Sequence, residues 1–390
     1  MPKFRLCALA AGVLLCHAAN AESVTPQLKI NGFATAAASF LSNDSGGAKY
    51  MENSYGRAGI GEDVNTDFDS LLGLQLDYQA NDKTNMVVQL EAMGQKQYSV
   101  EASWAYIRYQ LSDEWAARAG RVSFPGFMYS DTMDVGNAYP WVRTPAEVYA
   151  STPVKSLDGV EALWHHGIGT WTAGAQLTLA SGHATDSSFT LQNVGSVALT
   201  LTNNDLLLRI CRLQGVLNSH FNKTLSSNAA ANAALNAALD FHEADANFTS
   251  AGFTYDDNNW MAQGEIVAQR VDGWAADFNA GYLTAGHYFG HWLPYVSWQQ
   301  IHTINQKDKD VPVPAIAPGF TIDTRPFSVF DQSSISAGLR VDPRPNLSVK
   351  FQVDHIYDFH GSGGLFRFPT QGEHVPSPTN LYSVAVSTSF

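Results

Sequence analysis

The sequence predicts an all-β fold: a transmembrane antiparallel β-barrel of about sixteen strands, with one connection folded into its lumen. Three observations predict it. Apolar and polar residues alternate with period two along much of the chain, as they do in a strand with one polar and one apolar face. Tight turns alternate with long connections, the habit of barrels that cross an outer membrane. Aromatics gather near the strand ends, where the two bilayer interfaces would lie.

The chain opens on a leader. Met1-Pro2-Lys3-Phe4-Arg5 is a basic start, Leu6 to Ala18 is apolar, and Ala19-Asn20-Ala21 is a small-x-small cleavage pattern. The apolar stretch falls short of the roughly 20 residues that a spanning helix needs. Residues 1–21 are therefore expected to be removed as a signal peptide. Residues 22–390 then form one domain beginning near Glu22. Leu15 stands before Cys16 where a lipid-attachment site wants a small residue, which disfavours a lipoprotein.

Beyond Ala21 no stretch approaches an apolar spanning helix, and the mean hydropathy is −0.14. That value suits strands with half their side chains in water. Cys7 and Cys16 leave with the leader and Cys211 stands alone, so there is no disulfide framework. Only 15% of residues are charged, whereas a large soluble enzyme would be nearer a quarter. The net charge of −13 argues against nucleic acid as a partner.

Alternation is clearest at Leu72, Leu74, Leu76 and Tyr78 against Gly73, Gln75, Asp77 and Gln79. It recurs at Ile335 to Val341 and at Leu347 to Val353, and it ends at Tyr382, Val384, Val386, Thr388 and Phe390. The pattern places strands at 28–40, 70–80, 84–94, 99–112, 115–124, 158–169, 170–181, 194–205, 206–217, 244–256, 260–271, 278–290, 293–304, 330–342, 346–359 and 380–390. In lipid such strands must close on themselves, because unpaired backbone groups are not tolerated in hydrocarbon.

The tight turns, such as Asn81-Asp82-Lys83 and Asn203-Asn204-Asp205, are rich in Asp, Asn and Gly. The longer connections are 41–69, 125–157, 182–193, 218–243, 305–329 and 360–379, with shorter ones near 95–98 and 272–277. Residues 228–241, rich in Ala and Leu, read as a short helix in the fifth outer loop. Trp104, Tyr109, Trp115, Trp164, Trp171, Trp260, Tyr288, Trp292, Tyr357 and Phe359 are the expected girdle aromatics.

The connection 125–157 stands apart, because its prolines and aromatics stiffen it and supply a small core of its own. Its candidate site residues are Asp131, Asp134, Arg143, Glu147 and Lys155. Alternation turns Arg108, Arg340 and Lys350 toward the lumen, with Asp77, Glu91, Glu265 and Asp354. Arg118 and Arg121 are three apart and cannot both face inward on a regular strand. The reading favours Arg118 and leaves the pair open. Acids on one side of a narrow passage and bases on the other would set up a transverse field that disfavours apolar solutes.

No metal or cofactor is expected. His287 and His291 share a face but would stand about 13 Å apart along a strand, too far for one ion. Asp256-Asp257-Asn258-Asn259 lacks calcium-loop spacing. None of the GxSxG, P-loop, HExxH or dinucleotide motifs occurs.

On the leader, the strand number, Phe390, and Ala119-Gly120-Arg121 leading to Ala138-Tyr139-Pro140-Trp141-Val142-Arg143, the chain resembles the Gram-negative outer-membrane porin superfamily, both general-diffusion and phosphate-selective. It carries neither the Pro-Glu-Phe-Gly-Gly motif of general-porin loops nor a dense Lys and Arg array, so no subfamily is selected. The resemblance implies an outer-membrane channel for passive diffusion of small hydrophilic solutes or ions. It further implies a third long loop, here 125–157, folded inward with its acids facing basic residues on the wall, and three barrels associated as a homotrimer in outer-membrane lipid. Two other readings are a receptor or adhesin using the outer loops, and a barrel hydrolase. For the latter, Ser130 beside Asp131 has no histidine nearby in sequence.

Overall fold

Sixteen long strands alternate in direction around a closed barrel in the computed structural model, which describes residues 23–25, 27–42, 49–51, 59–150, 154–184, 189–220, 222, 224–240, 242–305, 310–367 and 378–390. The expected signal peptide and Glu22 lie outside these. The first half of the wall is β1 (Leu28–Leu41), β2 (Leu71–Asn81), β3 (Thr84–Met93), β4 (Val100–Gln110), β5 (Trp115–Ser123), β6 (Ser156–Ile168), β7 (Trp171–His183) and β8 (Phe189–Thr202). The second half is β9 (Leu206–Ser219), β10 (Ala244–Asp256), β11 (Trp260–Val271), β12 (Phe278–His287), β13 (Trp292–Thr303), β14 (Gln332–Arg344), β15 (Leu347–Tyr357) and β16 (Thr379–Ser389).

Each strand pairs antiparallel with the next, and β16 returns to β1 with Val386 opposite Ala36. Gly32 and Phe390 exchange two backbone hydrogen bonds of 2.8 Å at the seam. The Phe390 ring lies where a Cβ at position 32 would be, so the closure needs glycine there.

The period-two pattern becomes two surfaces. Leu179 is 68% exposed, Ile266 67% and Leu72 53%, and all point outward with Leu199, Leu283, Val296 and Phe351. Side chains of this size, ringing the barrel, form an apolar band far larger than water tolerates on a soluble protein. The band faces lipid. Tyr109, Trp115, Trp260 and Trp292 lie exposed at the short-turn end, and Trp115 packs near Trp164 at 6.4 Å. These rings form one girdle. Two expected members lie elsewhere. Trp104 borders a cavity inside the wall, and Phe359 is buried with Tyr50 and Phe366 beneath the outer loops.

All sixteen expected strands are present, with shifts at their ends. The largest is at β8, which begins at Phe189 rather than 194. Asn193 there has φ +51°, and the register slips between Gln192 and Gly195. This bulge adds a residue to one strand and breaks the alternation that would have shown the strand's start. In the fifth outer loop, helix α2 (Ala229–Leu239) is capped by Asn228, whose side chain accepts from the amides of Ala230 and Ala231. The connection after β5 holds a shorter helix, α1 (Ala146–Tyr149).

Candidate functional site: the inward loop and the passage beside it

The connection after β5 crosses the lumen. It starts with Phe124, Phe127 and Phe248 packed edge to face, and Met128 N donates to Glu265 of β11. The loop then reaches the opposite wall. Gly136 lies so near Thr35 of β1 and Ser387 of β16 that a side chain there would collide with both hydroxyls. Asn137 meets Ser348 and Ser389. The return path runs past β12 to β15: Trp141 Nε1 donates to Thr284 Oγ1 at 3.1 Å, and Val142 N donates to Gln352 at 2.9 Å. Tyr149 OH donates to Glu265 Oε2 at 2.6 Å.

Trp141 is fully buried and meets Tyr282 at 90° with centroids 5.3 Å apart. A polar lumen would reject such a ring, yet here the loop brings its own aromatic partners and the wall supplies more. The inward residues of β10 to β13 include Phe248, Met261, Val267, Phe278, Tyr282, Leu293 and Ile301, all buried.

The expected wall bases have definite places. Lys350 is fully buried, and its ammonium donates to the carbonyls of Gly136, Tyr139 and Trp141. Arg340 donates to the carbonyls of Asn137 and Tyr139 at 3.0 Å and pairs with Asp342. Both cations therefore clamp loop backbone. Arg118 faces inward, 2.6 Å from buried Glu161 and over the Tyr106 ring at 5.2 Å. Arg108 also faces inward, in register with Asn85 and Arg118. Arg121 takes the opposite parity. It pairs bidentately with Asp158 and donates to the Ala102 carbonyl at 3.3 Å.

The loop charges divide into two groups. Arg143 meets Asp69 in a bidentate pair and Asp354 at 3.2 Å, with the hydroxyls of Ser39 and Ser383 completing the set. Burial alone would lower its pKa. The two carboxylates reverse that and raise it, so the charge is fixed. Glu147 is fully buried and accepts from Ser334 and from Gln332 at 2.7 Å, while its Oε2 has no partner. Burial pushes this carboxyl above its ordinary value. These two residues anchor the loop.

Asp131, Asp134 and Lys155 instead border open space. Lys155 pairs with Asp134 at 3.0 Å, and Asp131 accepts from Ser123. They line a cavity of about 350 Å³ between the loop and the β3–β7 side of the wall, together with Gln89, Glu91, Glu101 and Ser103. The cavity extends to Arg121, Asp158 and His183, where the β4–β5 ladder stops at Ala105 opposite Arg121. A second cavity of about 440 Å³ lies toward the short-turn end, lined by Gln27, Lys29, Asn31, Asp77, Gln79 and Asn85.

Alternation had singled out Glu91, Asp77, Glu265 and Asp354. It could not show that Glu265 and Asp354 would hold the loop while Glu91 and Asp77 remained beside open space. Asp69, Glu101, Asp158 and Lys96 were missed. They lie in connections or near strand ends, where periodicity carries no direction. Among the described residues no group of three or more His, Cys, Asp or Glu is placed to hold a metal ion.

A closed sixteen-stranded barrel with an inward third loop defines the outer-membrane porin fold, and comparison with solved structures bears on the same point. OmpF of Salmonella typhi, in complex with daunomycin, aligns at 13% identity over 93% of this chain and 97% of its own, with a TM-score of 0.55. An anion-selective porin from Comamonas acidovorans aligns at 11% over 93% and 99%, TM-score 0.56. OmpT of Vibrio cholerae in a trimer form, an outer-membrane protein, aligns at 10% over 93% and 99%, also with a TM-score of 0.56. At these identities the likeness establishes the fold. No family model matches the chain, and no curated protein sequence does either.

Proposed function

We propose that this protein is an outer-membrane pore, a homotrimer through which small hydrophilic solutes or ions diffuse passively. One observation carries the reading. The inward loop is bonded to one side of the lumen and leaves polar-lined space on the other. A barrel built only as a scaffold for outer loops has no need of a tethered loop across its interior. The water-lined side offers side-chain oxygens and nitrogens to a solute that sheds part of its hydration, while an apolar solute gains nothing there.

In this reading residues 1–21 are a cleaved signal and the chain catalyses no reaction. Ser130, the one serine with an adjacent acid in the loop, is engaged in its own turn, donating to the Phe127 carbonyl and accepting from the Phe127 amide at 2.9 Å. Pure protein in a planar bilayer should give stepwise current, in groups of three if trimeric. A folded barrel that inserts and does not conduct would overturn the reading, and ligand capture or hydrolysis without conductance would replace it with a receptor or an enzyme.

A further inference from the structure

We propose that the passage beside the loop prefers cations, so that small monovalent cations and cationic amines are the solutes it passes best; this rests on the pore reading above. Four of the cations inside the barrel are already engaged. Lys350 and Arg340 are taken up by loop carbonyls, Arg143 by Asp69 and Asp354, and Arg118 by Glu161. None of these cations is among the residues bordering the 350 Å³ cavity. The three that do border it are each matched by an acid: Lys155 by Asp134, Lys96 by Glu101, and Arg121 by Asp158.

Two bordering acids have no ion-pair partner among the described residues. Glu91 projects from β3, is 5% exposed, and has its carboxyl group oriented by Gln89 Nε2 at 2.8 Å. Asp131 projects from the loop and accepts from Ser123. The unmatched groups are thus acids, one on the wall and one on the loop, and no Lys or Arg bordering the cavity lacks an acid partner. Of the wall bases that the transverse field expected from sequence would need, Lys350 and Arg340 hold the loop, Arg118 and Arg121 pair with Glu161 and Asp158, and Arg108 faces the lumen but is not among the residues bordering this cavity. The second cavity is balanced, with Lys29 and Asp77 as its charged lining residues, and does not reverse the sign.

A fixed unit charge about 5 Å from a monovalent ion in water changes that ion's local concentration about fourfold. Salt near 0.1 M screens such a charge only beyond about 10 Å. The test is the reversal potential of the full-length protein in a planar bilayer, with 100 mM against 10 mM KCl. The expected result is a potential of cation sign, with a K⁺ to Cl⁻ permeability ratio above about four. The double variant Glu91→Gln/Asp131→Asn should bring the ratio down severalfold toward unity, and Lys155→Gln, which frees Asp134, should raise it. A wild-type ratio below one overturns the proposal, as does an unchanged ratio in a folded double variant.

Wild-type protein supplies a second measurement that needs no variant. Replacing Cl⁻ by the bulky anion gluconate should lower the conductance far less than replacing K⁺ by the equally bulky cation N-methylglucamine, which is slowed by its size and not by its charge. The reverse dependence overturns the proposal. Absence of any stepwise current is a separate outcome that overturns the pore reading itself.

Discussion

Arg143 is the residue whose removal most directly tests whether the loop is fixed by charge. Its guanidinium bonds Asp69 through Nε at 3.0 Å and Nη2 at 2.7 Å, and Asp354 through Nη1 at 3.2 Å. The three side chains are each 10% exposed or less. Substituting Arg143→Met keeps much of the aliphatic stem and leaves two buried carboxylates without a cation. Breaking a buried pair from one side costs about 3–5 kcal/mol. At about 1.4 kcal/mol per tenfold change, loop opening should become more frequent by a factor of about 10² to several times 10³. Hydrogen exchange in detergent, read by mass spectrometry, should show that acceleration in peptides spanning 128–150, with the peptides of β9 to β13 unchanged. Adding Asp69→Asn to the variant should recover part of the protection, because one of the two unpaired charges is gone. Equal exchange in wild type and Arg143→Met would refute the reasoning. Strictly additive effects in the cycle would refute the coupling.

Trp141→Ala removes a fully buried indole and its bond to Thr284; a stability loss of about 3–5 kcal/mol is expected in chemical unfolding, with a larger single-channel conductance as the void joins the lumen. Gly136→Val places a branched side chain against Ser387 and Thr35 and should undock the loop tip, seen as noisier open-channel current. Glu147 carries a pH dependence whose sign follows from its burial. Its docked carboxyl titrates above the ordinary value of 4.5, so the docked loop holds the proton more tightly than the undocked one. Docking is therefore strongest below pH 4.5 and weakens as pH rises toward the raised value. Fewer loop-opening events are expected at pH 4 than at pH 7, and Glu147→Gln should abolish the difference.

The barrel was legible because its pattern is simple. A strand between lipid and lumen must alternate, as Leu72 to Tyr78 and Leu347 to Val353 do, and the aromatic ends and alternating loop lengths separate such a barrel from a soluble sandwich. The pattern failed where the backbone departs from a regular strand, at the Asn193 bulge and at Trp104, near which the β3–β4 register shifts between Gln89 and Leu90. The inward loop announced itself through Tyr139, Pro140, Trp141 and Pro145. Its chemistry did not, because parity gives a side chain's direction and not what meets it there. Lys350 and Glu91 both point to the lumen by the same rule, yet one is sealed under backbone carbonyls and the other borders open space. That difference depends on where a loop two hundred residues away in sequence comes to rest.

Part of it is nevertheless written in the inward-facing half of the pattern. A lumen wet all round would carry polar residues at every inward position. On β2 and β3 most are polar, at Gln75, Asp77, Gln79, Asn85, Gln89 and Glu91, with Leu71, Val87 and Met93 the apolar exceptions. On β11 to β13 the inward positions instead include the large apolar or aromatic residues Met261, Val267, Val271, Phe278, Tyr282, Leu293 and Ile301, interspersed with Gln263, Glu265, Thr284, Ser297 and Gln299. Such a wall has to be covered, since leaving side chains of that size in water costs about 1.5–3 kcal/mol each. Lipid covers the outer face, and the chain itself must cover the inner one. The connection after β5 carries the matching aromatic residues, and its carbonyls find Lys350 and Arg340 at the far edge of the apolar wall. The asymmetry of the lumen, dry on one side and wet on the other, follows from this, and so does the position of the passage along β3 to β7, where polar residues such as Gln89, Glu91 and Ser103 line the open space.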